Sequence, residues 1–267
     1  MGRFDTLCAN DGFQGMTTIN SNRVSALLGT ILFLGPAVHA EEQCPVEIKL
    51  LLSPGVTRTA IASLGFEHEA AGRVYFFDTD ALDLSMQGAI VRVRQGGDND
   101  LTVKVRLPNG NRRADSSPLH KRFPCEIDRT QMGESTSFAV KRKYKAAVVP
   151  DLGADIRGLL SVSQRDLLHE AGITVDWSKV RRIADIDSTK WEATARSPSG
   201  QIALELWEWP AGKVLELSAK VEYDAAASKY AELERLASVK NLSLSASQDT
   251  KTSMVLKTAA AHPSPPR

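Results

Sequence analysis

Two short stretches place basic side chains at every second position. In Ile90-Val91-Arg92-Val93-Arg94, alternation puts Arg92 and Arg94 on one face with Ile90, and the valines on the other. In Leu101-Thr102-Val103-Lys104-Val105-Arg106-Leu107, Thr102, Lys104 and Arg106 share a face opposite four aliphatics. Guanidinium and ammonium groups bind phosphate oxygens. Carboxylates alternate in the same way elsewhere. Glu47 lies beside Lys49, Glu126 shares parity with Arg122 and Asp128, Glu205 with Trp207, and Glu216 with Ser218 and Lys220. A carboxylate repels phosphate but holds Mg²⁺ or Mn²⁺, which bridges to it. Cations and carboxylates lining one cavity therefore point to a polyphosphate bound with a divalent metal.

Elements must bring these faces together. A short Gly-rich turn joins the two basic stretches, so they read as a hairpin whose apolar faces coincide. The register predicted from this sets Arg92 opposite Lys104 and Arg94 opposite Thr102. Like charges directly opposite destabilise a sheet by up to ~1 kcal/mol per pair. On an open surface water and salt offset that cost. Inside a closed barrel, an anion or carboxylates must do so. A wet sheet face accounts for the hairpin alone. A closed barrel with a charged lumen accounts for all the alternating strands at once.

Further strands are predicted at Val46–Leu52, Arg73–Phe77, Ala89–Arg94, Leu101–Leu107, Phe123–Ile127, Lys190–Ala195, Gln201–Trp209 and Lys213–Tyr223. Turn chemistry lies at Gly96–Asn99, Pro108–Asn111, Ser197–Gly200 and Pro210–Gly212. Helical patterns cover Thr57–Leu64, Asp151–Ala171 and Ala225 to about Lys240, the last with Asp224 as cap. Residues from Ala259 to 267 read as a frayed tail. The expected class is α+β, an antiparallel barrel with flanking helices.

Composition narrows the function classes. Lys+Arg number 33 and Asp+Glu 32, so no global field draws in nucleic acid or a membrane surface. Three cysteines are too few for a disulfide framework or a four-cysteine zinc site. There is no GxxxxGK[ST] and no GxGxxG. His68-Glu69 and His169-Glu170 lack the second histidine of a zinc protease helix.

Val24–Leu34 is an apolar run after Arg23, and Val38-His39-Ala40 offers small residues for cleavage. Residues 1–40 thus read as a secretory signal with an upstream leader, against the alternative of a buried N-terminal helix. The run is too short for a stable membrane span. Export to a periplasmic or extracellular space would leave Cys44 and Cys125, as a disulfide or as two free thiols.

Tyr75-Phe76-Phe77-Asp78-Thr79-Asp80-Ala81-Leu82-Asp83-Leu84, then Gly88, Val91–Arg94 and Leu101–Lys104, resembles the CYTH domain of triphosphate tunnel metalloenzymes and their adenylate-cyclase and thiamine-triphosphatase relatives. The likeness is specific from Tyr75 to Lys104 and faint elsewhere. It implies one domain over residues 41–258 folded as an eight-stranded antiparallel tunnel that binds tri- or polyphosphate and attacks it with water. It implies phosphate-binding roles for Lys49, Arg92, Arg94, Lys104, Arg106 and, more weakly, Lys220 and Lys251. It implies metal roles for Glu47, Glu126 and Glu216 with Mg²⁺ or Mn²⁺, Glu47 and Glu216 being the catalytic candidates.

The departures fall on the acids. Pro45 stands for the first glutamate of an opening Glu-x-Glu-x-Lys, Pro124 for the first of an Arg-x-Glu-x-Glu strand, and Ser218 for the second of a late pair. The resemblance therefore implies better retained anion binding than metal binding. A non-catalytic exported polyanion-binding module and a salt-bridged structural barrel are the competing readings.

Overall fold

The computed structural model describes residues 43–53, 55, 58–66, 68–97, 99–107, 117–145, 155–192 and 201–261. The expected signal and leader lie outside these residues. So do the turns at 108–111 and 197–200 and the end of the tail from 262.

Nine strands close into one barrel. They are β1 (Val46–Leu52), β2 (His68–Asp78), β3 (Ala89–Gly96), β4 (Asp100–Arg106), β5 (Cys125–Thr130), β6 (Gly133–Lys143), β7 (Arg181–Glu192), β8 (Ile202–Trp209) and β9 (Gly212–Val221). Around the ring the order is β1-β5-β6-β4-β3-β2-β7-β8-β9. The strand count is nine rather than the expected eight, and the barrel is not wholly antiparallel. An odd ring cannot alternate direction throughout, and the β1–β5 pair is parallel. Cys44, just before β1, is disulfide-bonded to Cys125 at the start of β5, so a covalent link ties that pair.

The helices are α1 (Arg58–Ala62), α2 (Asp83–Met86), α3 (Ile156–Leu159), α4 (Val162–Glu170), α5 (Ala226–Val239) and α6 (Lys251–Ala261). α4 begins with a capping box between Ser161 and Gln164. Buried Gln164 also donates to the carbonyls of Leu101 and Val140, pinning α4 across β4 and β6. α5 starts one residue later than predicted and Asp224 does not cap it; a 3₁₀ turn over Tyr223–Ala225 leads in. α6 runs through Ala261, where a frayed tail was expected.

Two apolar clusters fix which face of each strand points where. The larger contains Ile48, Leu50, Val91, Val93, Leu101, Val103, Leu204 and Leu217 together with Ile156, Leu167, Leu168, Leu233 and Ala237 of the helices. That face is therefore the barrel exterior, covered by α3, α4 and α5. Residues of opposite parity point inward. The smaller cluster lies among these: Leu51, Val74, Phe76, Ile90, Trp207 and Val214, with Val255 and Leu256 of α6 packed onto them. One end of the lumen is thus filled with hydrocarbon. Charge takes over along the same faces, from Leu51 to Lys49 and Glu47, from Ile90 to Arg92 and Arg94, and from Val214 to Glu216.

Candidate functional site

The basic hairpin forms with the predicted faces but in a different register. Arg92 pairs with Thr102, Arg94 with Asp100, and Ile90 with Lys104. The slip is two residues, which preserves the faces. Asn99 closes the turn by accepting from the Gly96 amide at 3.2 Å and donating to its carbonyl at 3.1 Å. Cation no longer stands opposite cation, and Asp100 joins the strand as a carboxylate beside Arg94.

Glu47, Glu126 and Asp128 each offer a carboxylate oxygen within 4.8 Å of the others. The parallel pairing makes this possible, because it sets Glu47 against Asp128. Lys49 Nζ lies 2.9 Å from Glu47 Oε2 and 2.5 Å from Asp128 Oδ1. Lys104 Nζ lies 3.1 Å from Glu126 and 2.9 Å from Asp128. Arg106 approaches Asp128 at 3.7 Å, and Lys220 reaches Glu126 at 2.6 Å. Burial alone would raise the Glu47 carboxyl, but the Lys49 ammonium overrides it and holds the group at about 2. Burial would raise Asp128 too, yet Lys49, Lys104 and Arg106 hold it far below the usual carboxylate range. Burial opposes charge on Lys49, and Asp128 and Glu47 reverse this and push its pKa well up.

A second set gathers around α6. Lys251 is buried, bonds Glu205, lies 2.9 Å from Glu216, and stands 4.6 Å over the Trp207 ring. Trp207 donates from Nε1 to Glu205 at 2.8 Å and meets Phe76 edge-on at 5.8 Å. Arg94 approaches Glu205 at 3.6 Å. Glu205 is largely enclosed, which opposes ionisation, but Lys251 and Arg94 hold its pKa well down. Glu216 is raised, because burial there outweighs Lys251. Glu216 thus sits with Glu205 and Lys251 rather than in the carboxylate triad, where the resemblance had placed it beside Glu47 and Glu126.

Two guanidinium groups are under-used. The Nε atoms of Arg92 and Arg106 are buried without a hydrogen-bond partner among the described residues. Burial, and then the neighbouring Arg94, lowers Arg92 to about 10. A buried cation facing another cation is stabilised by an added anion. Beside Arg94 a cavity of about 140 Å³ opens, lined among others by Ser188, Lys190 and Glu205.

Lys49, Arg92, Arg94, Lys104, Arg106, Lys220, Glu47 and Glu126 all share the inward parity. Arg122 does not belong with them: it precedes β5 and pairs with Glu170 of α4. Asp128 and Glu205 complete the two clusters, though the resemblance gave neither a role; parity with Glu126 and with Trp207 was the signal available. Lys251, a weak candidate in the sequence, is central to the second cluster.

The most specific part of the resemblance turns out to be architectural. Buried Asp78 accepts from the Thr79 and Leu84 amides at Oδ1 and from the Ser85 amide at Oδ2, holding the start of α2. Gly88 follows with φ +80°, and a Cβ there would lie 2.8 Å from the Arg106 carbonyl oxygen. The Arg106 amide donates to the Gly88 carbonyl at 2.9 Å. This corner leads into β3, the strand of Arg92 and Arg94.

No protein-family model and no curated protein matches the chain. Solved structures do. An adenylyl-cyclase-like protein from Hippeastrum, described as having a dominant triphosphatase activity, aligns with a TM-score of 0.56 at 17% identity, over 79% of this chain and 95% of its own. A candidate adenylate cyclase from Bacillus halodurans aligns with a TM-score of 0.52 at 15% identity, over 79% of this chain and 97% of its own. With the closed barrel and its charged interior, these likenesses establish that the chain has the fold of the CYTH tunnel.

Proposed function

We propose that the lumen binds a tri- or polyphosphate and hydrolyses its terminal phosphoanhydride with the help of a divalent cation. The observation that carries this reading is the convergence of Glu47, Glu126 and Asp128 within 4.8 Å on the same enclosed face as Lys49, Arg92, Lys104 and Arg106. Three carboxylate donors suit a hard cation such as Mg²⁺ or Mn²⁺. The donor set fits, since Glu47 and Asp128 are held ionised. A cation bound there supplies Lewis-acid charge to the phosphoryl oxygens.

The chain's own residues do the rest. Arg92 and Arg106 offer unused donors to phosphate oxygens. Lys49 and Lys104, on flexible stems, exchange carboxylate for phosphate as the anion arrives. Together they offset the charge that spreads over the transferring group. Water adds its oxygen to the terminal phosphorus, the bridging oxygen leaves with the electron pair, and the proton passes to solvent. Lys251 positions Glu205 and Glu216 and, with Arg94, offsets their charge.

Export belongs to the same reading. The Cys44–Cys125 bridge suits an oxidising compartment, as does the signal-like leader. ATP is scarce there, so the inorganic polyphosphates are the preferred substrates.

The deciding measurement is phosphate release from tripolyphosphate with Mg²⁺ or Mn²⁺, alongside calorimetric binding. Turnover abolished by Glu47→Ala, and binding lost in Arg92→Ala/Lys104→Ala, support the proposal. Absence of both binding and turnover with every tri- and polyphosphate overturns it.

A further inference from the structure

Outside the lumen, one more chemically capable set converges. Cys44 and Cys125 have Cα atoms 5.3 Å apart and are joined as a disulfide. Next to them stands His120, carried on the 3₁₀ turn Pro118–Lys121. Its place is well anchored: the Ser117 hydroxyl accepts from the Leu119 amide, Leu119 is buried, and the Phe123 amide donates back to the Leu119 carbonyl at 2.9 Å. An imidazole nitrogen and the two sulfurs all lie within 4.8 Å of one another. His120 Nδ1 is buried with no hydrogen-bond partner among the described residues. Buried polar atoms nearly always have a partner, so an orphaned imidazole nitrogen beside two sulfurs calls for a reason.

We propose that Cys44, Cys125 and His120 form a binding site for a thiophilic divalent cation of the Zn²⁺ class when the disulfide is reduced. A dithiol reductant supplies two electrons and two protons; the S–S bond breaks to two thiols and the reductant closes to its own disulfide. Metal binding then displaces the two thiol protons to solvent. Two thiolates and one imidazole are a donor set that Zn²⁺ favours over Mg²⁺ or Ca²⁺. Three protein ligands leave one tetrahedral position for water. The site straddles the parallel β1–β5 junction, so a metal there replaces the covalent tie with a coordinate one, adjacent in sequence to Glu126 of the carboxylate triad. It is independent of the polyphosphate reading, because its ligands are none of the lumen residues.

The test uses the full chain, reduced with a phosphine and titrated with Co²⁺ without oxygen. A thiolate-to-cobalt charge-transfer band is expected, saturating at one equivalent and displaced by Zn²⁺; the oxidised protein shows none. Carboxylate oxygens give no such band, so metal in the lumen is not mistaken for this site. His120→Ala removes neither cysteine and is expected to fold with the disulfide, and after reduction to bind at least ~10-fold more weakly, since even an outer-shell partner is worth that much. No band in the reduced protein, or a band undiminished in affinity by His120→Ala, overturns the proposal. Should reduction unfold the chain, recovery of the native circular dichroism on adding Zn²⁺ to the wild type but not to His120→Ala supports it, and no recovery overturns it.

Discussion

Glu47 and Asp128 lie side by side across the parallel strand pair, with the Lys49 ammonium bonded to both. Two ionised carboxylates in a buried position repel unless a cation stands with them. Asp128 also faces Lys104 and Arg106, so it is the shared counter-ion of three basic groups. Asp128→Asn removes that shared charge, leaving Lys49 with Glu47 and Lys104 with Glu126. The expected cost is about 3–5 kcal/mol, the range for removing one partner of a buried ion pair. Tripolyphosphate should restore part of the lost melting temperature by taking over as counter-ion. Thermal melts of the variant with and without tripolyphosphate check this; equal melting in both conditions contradicts the anion-binding role.

Acid should loosen the tunnel in a defined window. The folded Glu47 carboxyl, at about 2, lies below the ~4.3 of an unfolded glutamate. Its contribution to stability is therefore fully present above ~4.3 and lost as pH falls through about 2. Asp128 acts with the same sign. Glu216 is raised and so acts with the opposite sign, its contribution being present at low pH and lost as pH rises through its folded value. The melting temperature of the wild type should fall steeply on the acid side, and Glu47→Gln should flatten that limb. Melting curves across the acid range measure both.

The hairpin shows what the sequence made legible and what it left out. Alternation placed Arg92, Arg94, Lys104 and Arg106 on one face correctly, because a two-residue slip in register preserves parity. The register itself depended on Asn99 folding back onto Gly96, a local bond that periodicity does not encode. β6 went unread because Glu134-Ser135-Thr136-Ser137 is polar and weakly patterned, and it is held by pairing with β4 and β5. Two of the three carboxylates in the triad were legible. The resemblance implied roles for Glu47 and Glu126, whereas Asp128 offered only its parity with Glu126, and it meets Glu47 because β1 and β5 run parallel, a consequence of closing nine strands.

The Asp78 corner should separate folding from chemistry. Asp78→Ala leaves the amides of Thr79, Leu84 and Ser85 without their acceptor. Loss of the cap is expected to cost about 2 kcal/mol or more. No lumen group is removed, so tripolyphosphate affinity of the folded fraction should stay within about twofold, on the order of 0.4 kcal/mol. Chemical denaturation paired with calorimetry makes the comparison. A large affinity loss at wild-type stability would give Asp78 a direct ligand role instead.

Lys251 is the last cation whose removal gives an unambiguous sign. Its ammonium bridges Glu205 and Glu216, which face each other across β8 and β9. Without it two enclosed carboxylates share one site, and the cheaper state is to protonate one of them, Glu216 first because its pKa is already raised. Lys251→Met keeps the aliphatic stem near Trp207 and removes only the charge. The variant should be destabilised most at neutral pH, where the unfolded chain ionises both carboxylates and the folded one must hold a proton or keep two like charges together. Destabilisation should shrink as pH falls toward ~4, where a proton replaces the ammonium. Tripolyphosphate turnover should fall as well, because Glu205 is also the partner of Arg94 and loses the ammonium that positions it. The difference in melting temperature between variant and wild type, followed from neutral to acid, gives the answer: a constant difference would mean that Lys251 serves packing, and a shrinking one that it serves as the internal counter-ion.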